Sequence, residues 1–173
     1  EMSWRLGKAM DYLRDTQDGK VATPPVYGYS STVFGATAAI GMLQGLSTEV
    51  MAHALGIAGS ISPVNAQMAW FDHAPSSTIK YLLGGALTQA ALTAAHMAAL
   101  GHRGDRMLLD DREVGYARFM GTRRWEPEVI TAGLGREWHF PGETSYKPYA
   151  HCRVLHALAD VLIDIVRTQA LRR

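Results

Sequence analysis

Residues 145–156, SYKPYAHCRVLH, hold one lysine, one arginine, two histidines and the chain's single cysteine. Lys147 precedes Pro148, and proline disfavours helical backbone in the residue before it. Its ammonium therefore belongs to an extended lead-in beside the start of a helix, whose unsatisfied N–H groups attract anions. Together they make a grip for a carboxylate or a phosphate; the plainer alternative is a solvated loop lysine. His156 stands four residues before Asp160, a spacing at which a carboxylate can fix an imidazole tautomer and raise its basicity. The plainer alternative there is an ordinary surface pair on a helix. His151 projects with the apolar stripe if the helix already includes it. Cys152 has Arg153 and two histidines near it in sequence, conditions that lower a thiol pKa, but a lone cysteine at a helix start is more often packing, so thiol catalysis is not expected.

Lys80 is the one charge between Asp72 and His96. A lysine in the first turn of an alanine-rich helix opposes the helix dipole, which suggests an anionic companion. The alternative is a stem that carries its ammonium out to water. The histidines, at 53, 73, 96, 102, 139, 151 and 156, show neither HxxxH nor HExxH spacing, so no metal site is expected.

These groups need a scaffold, and composition bounds it. A chain of 173 residues, 47% hydrophobic and 19% charged, is long enough for one sizeable core and too apolar for disorder. We expect one helical domain over 1–173. A formal charge of +1 leaves no overall footprint for a polyanion, and the basic clusters at 102–106 and 122–125 are short, so nucleic acid is not an expected partner. One cysteine rules out an internal disulfide and fits a reducing compartment, hence a cytoplasmic location. The uncharged run from Tyr81 to Leu100 approaches membrane-span length, yet its Ala, Gly, Thr, Gln89 and His96 point to a buried helix and not to a membrane.

Periodicity then places the elements. Met2, Leu6, Ala9, Met10 and Leu13 mark a first helix ending near Asp18 and Gly19. Ser31 or Thr32 should cap a second helix through Val33, Phe34, Thr37, Ile40 and Leu43, stopped by Gly45. Ser47 should cap a third, with Glu49 in its first turn and Val50, Met51, Ala54, Leu55 and Ala58 on the core side. Residues 59–78 read as a long irregular connection. A long helix follows from Ile79 to about Leu100, with Leu83, Leu87, Ala90, Ala91, Ala94, Ala95 and Ala98 on a narrow face that admits a close neighbour. Short helices are expected at Arg106–Asp110, Val114–Met120 and Glu126–Leu134, and a short strand at Trp138–Phe140. The last helix carries Val154, Leu155, Leu158, Val161, Leu162, Ile165 and Val166 opposite Arg153, Asp160, Asp164 and Arg167. The class is all-α, six or seven helices with long irregular connections.

GYSSTVFGATAAI at 28–40, LSTEVMAHALGIAGS at 46–60, the lysine of TIKYLLGGALTQAALTAAHMAALGHRG at 78–104 and KPYAHCRVLHALAD at 147–160 follow one another in order and spacing. In these pieces the chain resembles the MmgE/PrpD family, which includes 2-methylcitrate dehydratase and cis-aconitate decarboxylase. The resemblance implies a large helical domain beside a smaller mixed one, assembly as a homo-oligomer or with a complementary chain, no cofactor, and lyase chemistry on small di- and tricarboxylic acids. It implies catalytic roles for Lys80, Lys147 and His156, and substrate binding by Tyr29, Ser30, His151 and Arg153. Ser30 stands where the family commonly has an active-site histidine, and a serine hydroxyl has no useful basicity near neutral pH. That departure leaves room for an isomerase or epimerase on the same scaffold, or a noncatalytic helical subunit. By length, the chain resembles a middle portion, with the N-terminal helical segment and the C-terminal smaller domain absent.

Overall fold

Small residues decide how closely these helices approach. The computed structural model describes residues 1–10, 16–17, 20–21, 31–63, 73–75, 77–120, 125–142 and 144–169. Its described elements are α1 (Met2–Met10), a two-strand hairpin of β1 (Thr16–Gln17) and β2 (Lys20–Val21), α2 (Thr32–Leu43), α3 (Thr48–Ile61), α4 (Lys80–Ala99), α5 (Tyr116–Met120), α6 (Glu128–Thr131) and α7 (His156–Thr168). The fold is all-α, and the hairpin pairs only Thr16 with Val21 and Gln17 with Lys20. Packing divides the chain into two compact units, Glu1–His139 and Phe140–Arg173.

In the first unit α2, α3 and α4 pack against one another, and α1 packs against α2 and α6. The expected alanine face of α4 is the one that turns inward: Leu87, Ala90, Ala91, Ala94, Ala95 and Ala98 are buried. Opposite them lie Val33, Phe34, Ala54 and Ala58, and the Phe34 ring meets Tyr116 edge-on at 4.8 Å. Methyl groups fill little space, so backbones approach closely and the contact is dense without large side chains. The same logic applies where the chain following α4 crosses α3. A Cβ on Gly56 would strike the backbone of Asp105, and one on Gly104 would strike that of His53 and Ile57.

Boundaries follow local chemistry. Ser47 caps α3 as expected, its Oγ accepting the Val50 N–H at 3.3 Å, and Gly45 ends α2 with a φ of +68°. Ser31 precedes α2 in helical backbone and makes no side-chain cap, so the second expected cap is corrected. Several short expectations shrink or vanish. Residues 106–110 form turns and not a helix, the helix expected at Val114–Met120 covers Tyr116–Met120, the helix expected at Glu126–Leu134 covers Glu128–Thr131, and residues 138–140 form no strand. The first correction has a visible cause: the Asp105 and Asp111 carboxylates accept backbone N–H groups of Met107, Glu113 and Val114, offering the chain turn geometry in place of helix.

Arg5 closes the first unit. It is 1% exposed, yet its guanidinium donates to the carbonyls of Ile130, Ala132 and Glu137 and pairs with Glu1 at 2.8 Å. Those carbonyls belong to the end of α6 and the turn beyond it, which lack intrahelical donors. One planar fork thus ties α1 to that turn.

The second unit is built differently. A 3₁₀ turn at Arg153–Leu155 leads into α7, whose apolar stripe appears where the spacing placed it. None of its described residues is buried, and Leu158, Val161 and Leu162 are about half exposed.

Candidate functional site

Three of the four expected site residues in the second unit, Lys147, His151 and His156, come together at the start of α7. The segment after Pro148 bends, which leaves His151 outside the helix and away from the position that a longer helix would have assigned it. The Lys147 ammonium donates to the His151 carbonyl at 3.2 Å, and its remaining N–H groups face outward from an exposed side chain. The imidazoles of His151 and His156 meet edge to face, 4.9 Å between ring centroids.

Carbonyl partners settle both tautomers. His151 Nδ1 lies 3.1 Å from the Cys152 carbonyl and His156 Nε2 lies 3.4 Å from the His151 carbonyl. A carbonyl only accepts, so Nδ1 of His151 and Nε2 of His156 donate and carry the ring protons. His151 Nε2 and His156 Nδ1 take no part in these two contacts, and the Lys147 ammonium shares the His151 carbonyl with His156 Nε2. An ammonium can pair with an anion, and an imidazole nitrogen without a proton can accept one.

The expected His156–Asp160 pairing is not made. Asp160 instead accepts the Tyr149 hydroxyl, across eleven residues of sequence. Tyr149 also stacks flat against His151 at 5.5 Å and meets His156 edge-on at 5.3 Å, so it joins every ring in the cluster. The Asp160 carboxylate beside it raises the phenol pKa above its usual value of 10.0, first through the hydrogen bond, so the hydroxyl stays a donor near neutral pH. Sequence spacing did not single out Tyr149. A tyrosine two residues after a lysine carries no periodic signal, and the 3₁₀ turn that brings it to Asp160 is a backbone event.

Arg153 lies in that turn with an exposed side chain and no described partner. Cys152 is an exposed free thiol. Lys80 opens α4 in the first unit, as the spacing placed it. Tyr29 and Ser30 lie outside the described residues. The first unit also has a cleft of about 240 Å³ between α3, α6 and the 105–110 turns, floored by Leu55, Leu109 and Ile130 with Arg106 and Asp110 at its edge. No residue nominated from the sequence lines it. Among the described residues no group of three His, Cys, Asp or Glu side chains is placed to hold a metal ion. No helix among them is long and apolar enough to cross a membrane.

In a comparison with protein families, residues 1–128 match the MmgE/PrpD N-terminal domain. The chain belongs to the MmgE/PrpD family. The match corrects one expectation, that of a middle portion lacking the N-terminal helical segment, because α1 to α5 themselves lie in sequence of the family's N-terminal domain. Lys80, Tyr29 and Ser30 fall within the matched span, and the cluster around Lys147 follows it. No curated protein and no solved structure matches the chain.

Proposed function

We propose that this MmgE/PrpD chain serves a lyase reaction, dehydration or decarboxylation, on a small di- or tricarboxylic acid. The convergence of the Lys147 ammonium and the His156 ring on the His151 carbonyl, with the two imidazoles edge to face, carries the proposal. Removing a proton beside a carboxylate, or losing the carboxylate as carbon dioxide, puts enediolate-like charge on the substrate. Fixed cations stabilise that charge where it develops. In this scheme Lys147 holds a substrate carboxylate, Arg153 reinforces that anion site, His156 moves the proton and His151 lines the substrate, while Lys80, Tyr29 and Ser30 of the first unit keep the roles that the family resemblance implies for them. The scheme calls on no cofactor. Assembly as a homo-oligomer or with a complementary chain, and a cytoplasmic location, belong to the same proposal.

The test is turnover of citrate, 2-methylcitrate and cis-aconitate by the full chain and by Lys147→Ala. Loss of about a hundredfold or more in kcat/KM with an unchanged melting temperature is expected, since one charge-stabilising group is typically worth that much. Equal turnover by the two proteins would sink the assignment. Ser30 supports a second reading, in which the lost base redirects proton transfer to isomerisation or epimerisation, or leaves a noncatalytic helical subunit. Isomerised product in the same assays selects the isomerase; no conversion by the complete assembly selects the subunit.

A further inference from the structure

We propose that Tyr149 and Asp160 form a latch that positions the Lys147–His151–His156 cluster on α7, an inference that rests on the carboxylate-site reading above. The segment that carries Lys147 and His151 has no helix or strand of its own to hold it. Two described hydrogen bonds run between it and α7. One is from the His156 ring to the His151 carbonyl at 3.4 Å, a long bond to an uncharged acceptor. The other is from the Tyr149 hydroxyl to the Asp160 carboxylate, with a charged acceptor, which makes it the stronger class of bond.

Geometry assigns the latch its task. With its hydroxyl held by the second turn of α7, the Tyr149 ring lies flat on His151, 2° from parallel, and perpendicular to His156 at 86°. A planar ring fixed at one end sets the planes of both imidazoles, and so the directions of His151 Nε2 and His156 Nδ1. Tyr149 also sits two residues from Lys147, so the same contact limits where the ammonium travels. Neither Tyr149 nor Asp160 needs to touch substrate; both act through the cluster, as positioning residues.

The experiment compares the full chain with Y149F, D160N, D160A and the control Y146F, whose ring is exposed in the same segment. Imidazole Hε1 resonances of His151 and His156 report ring placement, citrate titration reports the site, and melting reports stability. Y149F keeps the ring and loses only the hydroxyl. Y149F and D160A should each move both resonances towards those of free histidine and weaken citrate binding about tenfold, the hydrogen bond that orders the segment being worth roughly that factor, with the melt of the first unit's core unchanged. The double variant should be no worse than either single one, because both remove one contact. D160N keeps a carbonyl that accepts from the phenol and should retain most of the effect. Unmoved resonances in Y149F would overturn the latch, and so would an equal response in Y146F. Moved resonances with citrate affinity unchanged would overturn the positioning role. A wild-type chain that neither binds nor converts a polycarboxylate brings down the carboxylate-site reading, while the resonances still decide the latch.

Discussion

Arg5 is the residue that hydrogen-bonds α1 to the end of α6 and the turn beyond it. Arg5→Met removes one cation and leaves three carbonyls and the Glu1 carboxylate without it, so a loss of about 3 kcal/mol in urea unfolding is expected. Arg5→Lys should recover only part of this, because an ammonium lacks the planar fork that spans Ile130, Ala132 and Glu137. Tyr116 makes a second residue-scale prediction. Burial raises its phenol pKa above 10.0, so the folded state holds its proton where the unfolded chain releases it. Its contribution is whole below pH 10 and is lost as pH rises through the higher folded value. Between pH 9 and 11 Tyr116→Phe should lose less stability than the parent in urea titrations; equal losses would refute the assignment. Asp111 runs the other way. Its carboxylate accepts the Val114 and Glu113 N–H groups, which hold its pKa below 3.8, so its contribution is present above that value and falls away as acid protonates it in the folded state. Neither Arg5 nor Asp111 stood out in the sequence, since partners more than a hundred residues away, or a local turn, define their roles.

Among the elements, α4 carries the core and was the easiest to foresee. Leu87, Ala90, Ala91, Ala94, Ala95 and Ala98 recur at helical spacing and are buried. Leu87→Ala should cost about 3 kcal/mol, since the neighbouring alanines have no reach to refill the space. Glycines separate close packing from mere permissiveness. Gly56→Ala meets the Asp105 backbone and should destabilise by about 2 kcal/mol. Gly84→Ala, in the interior of α4 with no described atom within 4 Å of the new methyl, should stabilise by up to about 1 kcal/mol. Thermal melts of the pair decide whether close approach or helix propensity rules at each site. The short elements were less legible, because Asp105 and Asp111 compete for backbone donors at positions where apolar spacing alone suggests a helix.

On the scale of the whole molecule, the core extends from Leu6 to Ile130, entirely within the first unit. Residues 1–139 should therefore unfold cooperatively on their own, with a melting temperature within about 5 °C of the full chain. Loss of the cooperative transition on truncation would support one domain over 1–173 instead. The amphipathic pattern of α7 was clear from its residues, yet its stripe has no buried member, a reminder that periodicity locates an apolar face without locating its cover.

The sequence by itself determined the all-α class, the places of α2, α3, α4 and α7, the Ser47 cap, the inward face of α4 and the family, because each is written in spacing or in local motifs. Only the tertiary structure decided that Arg5 binds the end of α6, that glycines admit the chain after α4 against α3, and that Asp160 takes the Tyr149 hydroxyl instead of the His156 ring. Those outcomes depend on which polar groups the folded backbone leaves within hydrogen-bond reach, and no periodicity along the chain encodes that choice.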